Sequence, residues 1–384
     1  MSGFVSFESG SLKDAFGGVG SDSSALKGKK IVVGMSGGVD SSVAALLLKQ
    51  AGAEVIGLFM NNWKEEDGGV CTSAADWEDV IGVCGKLDIP YYSVDFSEEY
   101  MKNVFETFLR EYEIGRTPNP DVLCNREIKF KPFKHYAEML GADYIATGHY
   151  CGIRQNNTPE LLTAADESKD QTYFLNQVET QSLNNVLFPL ASMRKKDVRV
   201  LAEKHGLVTA EKKDSTGVCF IGERNFKKFL SGYLPACSGE IRDLSGKVVG
   251  RHDGLMYYTL GQRRGLGIGG IKGERENRWY VVEKNLKDNI LVVSCGEGEE
   301  LMSQSLRSGK FNVIGERNFG HTFECGVKVR YRQPCQRASV EIKKDGTLKI
   351  KFFDRQRAVT AGQYAVLYKD GRCLGGATIE EVFR

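Results

Sequence analysis

The stretch that most constrains the fold covers residues 31–48, where two apolar segments meet at Ser36-Gly37-Gly38. The β-branched residues before this break predict a buried strand, and the apolar residues after it predict a helix that ends near Gly52. Glycines between a strand and a helix let backbone amides approach an oxyanion, and the helix dipole favours negative charge there. Nearby serine hydroxyls can donate further hydrogen bonds. We therefore expect this loop to bind phosphate.

The loop differs from two common phosphate-binding sequences. A P-loop has Lys after its last glycine, and a Rossmann fingerprint has three spaced glycines and an acidic residue about twenty positions later. Residues 36–41 instead read Ser-Gly-Gly-Val-Asp-Ser, and position 60 is Met. This pattern resembles the pyrophosphate (PP) loop of ATP pyrophosphatases, in which Asp40 could share Mg²⁺ with the phosphates. The alternative is an ordinary turn in which Asp40 stabilises the start of the helix.

Composition indicates a soluble globular protein. The chain has 384 residues, 41% hydrophobic and 27% charged, which suffices for two or three domains. Its net charge of +2 is not that of a broad polycation, so a nucleic-acid partner would have to meet local basic patches. No apolar run approaches a membrane span, so we expect no membrane partner. Residues 1–27 are rich in Gly and Ser and lack a secretory or mitochondrial pattern, which predicts a disordered leader.

Ten cysteines are scattered without a C-x-x-C pair, which indicates reduced thiols and a cytoplasmic protein. We expect most to be small buried residues, such as Cys84 on an apolar helical face. Cys124 differs because it follows two prolines near the predicted start of a helix rich in cations, a setting that stabilises a thiolate. Cys219 follows two lysines and a run of turn-forming residues. The alternative for Cys124 is a half-buried structural residue, with Asp121 capping the helix.

Strands and helices alternate in the first half of the chain, with strands expected at 53–60, 91–96 and 144–147 after the first one. This alternation predicts a doubly wound parallel α/β sheet, whose strand ends line a ligand crevice and place Met60 near adenine. Later strands with hairpin turns predict a small β-rich domain and then an antiparallel β-barrel. We expect a leader at 1–27, a PP-loop catalytic domain at 28–228, a central β-rich domain at 229–295 and a C-terminal barrel at 296–384.

Basic segments leave two interpretations open. The helix expected at 193–206 could present a solvated face or a phosphate-binding surface. A glycine-rich loop at 257–269 is also basic. The barrel cations and one aromatic residue could contact RNA or form an ordinary basic strand face. These barrel residues are Arg330, Tyr331, Arg332, Arg337, Arg355 and Arg357.

From about Lys29 to its end the chain resembles the tRNA-specific 2-thiouridylase family. The order and spacing of several motifs support this resemblance. The motifs are Gly34-Met-Ser-Gly-Gly-Val-Asp-Ser41, Gly57-Leu-Phe-Met-Asn-Asn-Trp63, Thr117-Pro-Asn-Pro-Asp-Val-Leu-Cys-Asn125, Ala146-Thr-Gly-His-Tyr150, Lys169-Asp-Gln-Thr-Tyr173, Thr216-Gly-Val-Cys-Phe-Ile-Gly222 and Thr259-Leu-Gly-Gln-Arg-Arg-Gly265.

The resemblance implies an enzyme that adenylates the C2 oxygen of the wobble uridine in the tRNAs for Lys, Glu and Gln and replaces it with sulfur, releasing AMP and pyrophosphate. It implies ATP with Mg²⁺ and an upstream persulfide sulfur-donor protein. Cys219 matches the persulfide carrier, Cys124 the partner thiolate and Asp121 a general acid or base. The matching ATP-binding residues are Gly34, Met35, Ser36, Gly37, Gly38, Val39, Asp40, Ser41, Met60 and Gly148. The matching tRNA contacts are Asn119, Pro120 and Asp121 beside a flipped uridine, together with His149, Lys169, Asp170, Gln171, Arg330, Tyr331 and Gln363.

Two other functions are consistent with parts of the sequence. One is a PP-loop enzyme that ligates or amidates a small metabolite, which would need no reactive cysteines. The other is a non-catalytic RNA-binding protein that uses the barrel, which would release no pyrophosphate in response to tRNA.

Overall fold

The computed structural model of the chain describes residues 23–64, 72–214, 226–268 and 278–384. The first domain is built on five parallel strands in the order β3-β2-β1-β4-β7. Strands are numbered along the chain. Those of the sheet are β1 Lys30–Met35, β2 Glu54–Asn61, β3 Tyr91–Asp95, β4 Tyr144–Thr147 and β7 Val186–Leu187. A hairpin outside this sheet is formed by β5 Gly152–Arg154 and β6 Glu160–Leu162. The predicted doubly wound sheet is confirmed, and the sequence missed β7 because two residues give no periodicity.

Helices cover both faces of this sheet. In β1, Ile31 and Val33 lie in one apolar core and Val32 lies in another, because successive side chains of a strand point to opposite faces. The helices are α1 Val39–Gln50, α2 Thr72–Leu87, α3 Ser97–Tyr100 continued by π-helical Met101–Phe105 and by Glu106–Glu113, α4 Pro120–Cys124 continued by π-helical Asn125–Lys129, α5 Pro132–Met139, α6 Thr172–Leu175, α7 Lys195–Lys204 and α8 Phe226–Leu230. Cys84 of α2 is fully buried, as predicted.

The described residues include a short segment that precedes the predicted domain boundary at residue 28. Ser23–Leu26 forms a 3-10 helix, and Leu26 is only 1% exposed because it packs into the core beside the sheet. The rest of the predicted leader, residues 1–22, lies outside the described residues. In the described part of the chain, no helix is long and apolar enough to cross a membrane.

Among the described residues, the central domain contains four strands in the order β10-β11-β8-β9. The strands are β8 Gly239–Asp243, β9 Val248–His252, β10 Trp279–Asn285 and β11 Ile290–Cys295. β8 and β9 form a hairpin with Gly246 at φ 86° in its turn, in agreement with the hairpin turns predicted for the later strands. β11 pairs with β8 in parallel, which local sequence patterns do not encode.

The C-terminal domain is a closed antiparallel barrel of six strands, because β12 pairs with both β16 and β18. Its strands, with the short β13 beside them, are β12 Met302–Lys310, β13 Asn312–Val313, β14 Thr322–Lys328, β15 Gln336–Ile342, β16 Thr347–Arg357, β17 Tyr364–Lys369 and β18 Arg372–Phe383. The barrel was predicted, but β12 was not identified. β14 ends at Lys328, so Arg330 and Tyr331 lie in a turn and not on a strand face.

The first domain and the barrel share a sheet. β6 pairs with β18 through the pairs Leu161–Cys373 and Leu162–Arg372. Arg372 also forms an ion pair of 2.5 Å with Glu160. The β5–β6 hairpin thereby extends the barrel sheet and fixes the barrel against the edge of the crevice.

Candidate functional site

The Ser36–Ser41 loop has the geometry of an anion-binding turn. Gly37 has φ +70°, and a Cβ placed on it would lie 2.5 Å from the carbonyl oxygen of Asp76 in α2, so the position requires glycine. α1 then begins at Val39, and the Ser36 amide donates to Ser41 Oγ at 3.2 Å. The turn therefore brings the backbone of residues 36–38 to the amino end of a 12-residue helix.

The other predicted nucleotide-binding residues lie beside this loop. A Cβ on Gly148 would lie 2.7 Å from the amide nitrogen of Ser41, so the end of β4 packs directly on the first turn of α1. A Cβ on Gly34 would lie 3.6 Å from the Met60 side chain, which places β2 next to the end of β1. The structure thus brings the predicted residues at 34–41, 60 and 148 into one crevice. Their contacts with ATP are still a prediction.

Asp40 is held by two residues that the sequence did not identify as functional. Tyr150 Oη donates to its carboxylate at 2.8 Å, and Lys195 Nζ lies 2.7 and 2.8 Å from its two oxygens. Lys195 comes from α7 and its side chain is 12% exposed. Lys195 therefore places a cation at the first turn of α1, beside the anion-binding turn.

Asp214 forms ion pairs with three cations in the same crevice. Its carboxylate lies 2.8 Å from Lys169, 2.8 Å from Lys195 and 2.6 Å from Arg199. Burial alone would raise the pKa of Asp214, but hydrogen bonds from Lys169 and Lys195 outweigh it and hold that pKa well below its ordinary value. An acidic side chain surrounded by three cations shows that this place stabilises negative charge.

These contacts bear on the two interpretations of the basic helix. Lys195 and Arg199 of α7 face the crevice, whereas Lys196 and Lys204 of the same helix are exposed. One face is therefore solvated and the other supplies cations to the loop. The 3.6-residue helical period places residues 195 and 199 on one side, and this is the signal that could have singled them out.

A barrel loop holds the segment before α4. Gln363 Nε2 donates to the carbonyl oxygens of Thr117 at 2.8 Å and Pro118 at 3.4 Å. The Thr117 amide donates in turn to the carbonyl oxygen of Ala361 at 3.0 Å. The predicted tRNA contact Gln363 therefore positions the backbone that leads to the predicted catalytic residues.

Asn119 caps α4. Its Oδ1 accepts from the amides of Asp121 at 3.2 Å and Val122 at 3.4 Å, and Pro120 occupies the first helical position. The alternative that Asp121 caps the helix is therefore wrong. Burial raises the pKa of the Asp121 carboxyl, and Lys129 opposes this in part.

Cys124 lies deeper than the sequence predicted. The helix begins at Pro120, so Cys124 stands a full turn inside it and is 2% exposed in the core with Val122 and Ile128. Cations near in sequence therefore do not place this thiol at an open helix terminus. Cys219, the second predicted reactive cysteine, lies outside the described residues.

His149 is enclosed within the first domain. It is 8% exposed, lies between the rings of Phe130 and Phe188, and its Nδ1 is 2.7 Å from Thr147 Oγ1. Burial, assisted by the charge of Lys129, lowers the pKa of His149 well below its ordinary value. The imidazole is therefore neutral at pH 7, and its predicted role as a tRNA contact is untested.

Asp170 and Gln171 connect neighbouring segments. Asp170 is 4% exposed, accepts from Thr172 Oγ1 at 2.8 Å and lies 3.5 Å from Lys328 of the barrel. Gln171 Oε1 accepts from the Tyr150 amide at 2.9 Å. Both side chains are thus committed to protein contacts in this structure.

Arg330 and Tyr331 link the barrel to its neighbours. Arg330 Nη2 donates to the carbonyl oxygens of Leu260 at 3.2 Å and Ala358 at 2.8 Å. Tyr331 Oη donates to the carbonyl oxygen of Lys169 at 3.3 Å. Burial raises the pKa of Tyr331 to about 12, with smaller contributions from several charges, among them Asp170 and Asp121. Tyr331 therefore lies within electrostatic reach of Asp121.

The other expected RNA-binding arginines of the barrel mostly have acidic partners. Arg337 pairs with Glu324, Arg355 with Glu299 and Arg357 with Glu297. These pairs favour an ordinary basic strand face over a phosphate surface at the three positions.

The carboxylates at the site suit a cation that arrives with phosphate. Among the described residues, no group of three or more His, Cys, Asp or Glu side chains is placed to hold a metal ion. Asp40 has its carboxylate beside the loop, and Lys195 contacts both of its oxygens in this structure. Mg²⁺ in nucleotide sites is commonly held by one or two carboxylates together with substrate phosphates, so this donor set fits Mg²⁺ bound with ATP.

Two solved structures match part of this chain with low similarity. The U34-tRNA thiolase NcsA from Methanococcus maripaludis with its 4Fe–4S cluster is 20% identical and matches 58% of this chain and 69% of its own at a TM-score of 0.38. A 4-thiouridine synthetase–RNA complex with bound ATP is 14% identical and matches 54% of this chain and 50% of its own at a TM-score of 0.32.

Family models and curated relatives cover most of the sequence. Models described as tRNA methyl transferase HUP domain, tRNA methyl transferase PRC-barrel domain and aminomethyltransferase beta-barrel domain match residues 29–223, 227–295 and 303–379. The tRNA-specific 2-thiouridylase MnmA of Oceanobacillus iheyensis is 55% identical over 93% of this chain and 96% of its own. The protein of that name from Halalkalibacterium halodurans is 54% identical over 92% and 95%. The chain therefore belongs to the tRNA-specific 2-thiouridylase family.

Proposed function

We propose that this chain is an ATP-dependent tRNA 2-thiouridylase acting on the wobble uridine of the tRNAs for Lys, Glu and Gln. Beside the family relationship, one observation supports this most directly. A series of polar contacts runs from the phosphate loop to the barrel: Asp40 binds Lys195, Lys195 and Lys169 share Asp214, and the Lys169 carbonyl accepts from Tyr331. An ATP-activating centre and a surface for a polynucleotide are thereby joined in one crevice.

The first step activates a poor leaving group. The C2 oxygen of uracil attacks the α-phosphorus of ATP, the bond to the β-phosphate oxygen breaks, and pyrophosphate leaves. The amides of the Ser36–Ser41 loop stabilise the developing charge on pyrophosphate, as preorganised donors do in other phosphoryl transfers. Lys195, held 2.7 Å from Asp40, supplies a cation at the same point. Mg²⁺, when bound with ATP, neutralises further phosphate charge beside Asp40.

The second step transfers sulfur. An upstream donor protein loads Cys219 as a persulfide, whose terminal sulfur becomes bonded to C2 while AMP departs with the original oxygen. Cys124 as a thiolate then attacks Cys219 Sγ, which breaks the S–S bond and leaves the terminal sulfur on C2 of the base. The same attack forms a Cys124–Cys219 disulfide, which an external thiol reductant must open before the next turnover. The Cys124 thiol is shielded from solvent, because the residue is 2% exposed in the structure.

Asp121 is the proposed general acid or base for the target base. It lies in the first turn of α4, close enough to Tyr331 for its charge to act on that phenol. Burial raises the pKa of its carboxyl, which brings the group nearer to neutral pH, where a general acid or base is most effective. Asn119 and Pro120 fix its position by starting the helix.

The test is direct thiolation. Purified protein with ATP, Mg²⁺, a persulfide source and unmodified tRNA should yield tRNA that is retarded on a mercury-containing gel. Cys124→Ser and Cys219→Ser should each abolish the shift, whereas the exposed Cys237→Ser should retain it. Full activity in both variants would refute the sulfur chemistry. Absence of tRNA-dependent pyrophosphate release by the wild type would favour a non-catalytic RNA-binding protein.

A further inference from the structure

In the central domain, the motif Thr259–Gly265 forms a turn that is held by hydrogen bonds. The Gly261 amide donates to the Val281 carbonyl at 2.8 Å, and the Val281 amide donates to the Gln262 carbonyl at 3.0 Å, which ties the turn to β10. Gly261 has φ +78°, and a Cβ there would lie 2.9 Å from Ala358 Cβ of the barrel. The turn is therefore fixed to two domains at once.

The Gln262 side chain spans this turn from within. Its Oε1 accepts from the Thr259 amide at 3.1 Å, and its Nε2 donates to the Arg264 carbonyl at 3.0 Å. Arg263 and Arg264, which follow it, are both exposed. The hydrogen-bonded backbone of this turn presents two adjacent guanidinium groups. Because the backbone has little conformational freedom left to lose, binding costs less entropy, which favours affinity.

The two arginines also differ in their charge balance from three arginines of the barrel. Neither Arg263 nor Arg264 forms an ion pair with another described residue, and the same holds for the exposed Arg332. Arg337, Arg355 and Arg357, in contrast, each pair with a glutamate. In a chain with a net charge of only +2, such uncompensated clusters determine where a polyanion binds.

Contacts place the turn next to the proposed crevice. The carbonyl oxygen of Leu260, at the start of the turn, accepts from Arg330 at 3.2 Å. The next residue, Tyr331, is bonded to the carbonyl of Lys169, and Lys169 is part of the cation cluster at Asp214. Arg332 follows Tyr331 directly. A polyanion entering the crevice would thus meet the turn beside the same barrel segment.

We propose that Arg263, Arg264 and Arg332 form a phosphate-contact surface for the body of the tRNA, outside the crevice that holds the reacting base. This proposal rests on the proposed function and specifies how the central domain serves it. Planar guanidinium groups suit phosphate oxygens. A protein partner would instead require an apolar centre, and Leu266, an apolar residue of this turn, is buried.

The experiment compares tRNA binding by matched charge variants. Arg263→Ala/Arg264→Ala is compared with Lys349→Ala/Lys351→Ala, which removes the same charge from exposed positions of β16. Kd for unmodified tRNA is measured without ATP across a KCl series. The arginine variant should bind roughly tenfold more weakly and lower the slope of log Kd against log salt by about 1.5–2, as expected for two lost phosphate contacts. The lysine variant should match the wild type.

Further variants distinguish phosphate contact from a different role of the turn. Arg263→Lys/Arg264→Lys keeps the charge and should restore most of the salt slope, and the KM for tRNA should follow the Kd while kcat at saturating tRNA stays unchanged. An unchanged salt slope in the alanine variant, or an equal loss in the lysine control, would overturn the proposal. So would normal tRNA binding with slowed sulfur delivery from a protein donor, which would assign the turn to that partner. Failure of the wild type to thiolate bound tRNA would instead reject the proposed function.

Discussion

Replacing Lys195 with Met is expected to slow adenylation strongly while tRNA binding persists. Lys195 Nζ lies 2.7 Å from Asp40 and 2.8 Å from Asp214, and its side chain is 12% exposed. A methionine keeps the length and apolar stem of the side chain but removes its charge. The variant therefore tests the ammonium group and little else.

The expected magnitude follows from the partly buried setting. A unit charge at about 4 Å from a phosphate charge contributes roughly 4 kcal/mol at the effective dielectric near a protein surface. Removing one preorganised donor from developing charge typically lowers kcat about 10²–10³-fold, which is about 3–4 kcal/mol. The stability cost should be smaller, about 1–2 kcal/mol, because Asp40 and Asp214 are 34% and 33% exposed and water screens them once the lysine is gone.

The assay is tRNA-dependent release of pyrophosphate at saturating ATP and tRNA, with Tm recorded for each variant. Lys196→Met is the matched control because Lys196 is the next residue of α7 and is exposed. It should behave like the wild type. A kcat for Lys195→Met within about threefold of the wild-type value, or an equal loss in the control, would refute the assignment of Lys195 to the phosphates.

Three further predictions concern residues around the crevice. Gln363→Ala loses its hydrogen bond to the Thr117 carbonyl and should lower kcat by roughly tenfold, which is about 1.4 kcal/mol, with the Kd for ATP unchanged. Normal turnover would show that the segment before α4 keeps its conformation without this hydrogen bond. For His149 the folded-state pKa is depressed, so the unfolded state binds more protons below about pH 6.5 and stability falls as pH decreases. In chemical denaturation, the free energy of unfolding of the wild type should fall by about 1.4 kcal/mol between pH 7.5 and 5.5, whereas that of His149→Gln should not show this fall. The same pH dependence in both proteins would contradict the buried neutral imidazole. Asp121→Asn should remove the acidic limb of the pH–rate profile, and persistence of that limb would exclude this carboxyl as the titrating group.

Much of the site could be predicted because it is encoded locally. The strand, the glycine turn and the helix at 31–48 carry their own periodicity and backbone requirements, and Gly37 is needed at φ +70°. Parallel strand order then brings Met60 and Gly148 to the same edge. The sheet and barrel followed from alternating patterns in the same way, except for two strands. β7 has only two residues and gives no periodicity, and β12 pairs with β18, which is far from it in sequence.

The rest depends on contacts between distant segments. Lys195 is one of several lysines in a basic run, and only packing of α7 on α1 decides that it faces Asp40. Asn119, not Asp121, caps α4 because the helix begins at Pro120, and the same starting point turns Cys124 inward. Charge near a cysteine in sequence therefore did not predict exposure of its sulfur.

The pairing of β6 with β18 has a consequence for how the protein can be divided. A segment from the middle of the chain completes the edge of a sheet made by its last residues, so deletion of the C-terminal strand would expose backbone donors and acceptors at Leu161 and Leu162. The nucleotide-binding half and the barrel should therefore unfold in one cooperative thermal transition. Neither is expected to fold stably as an isolated fragment.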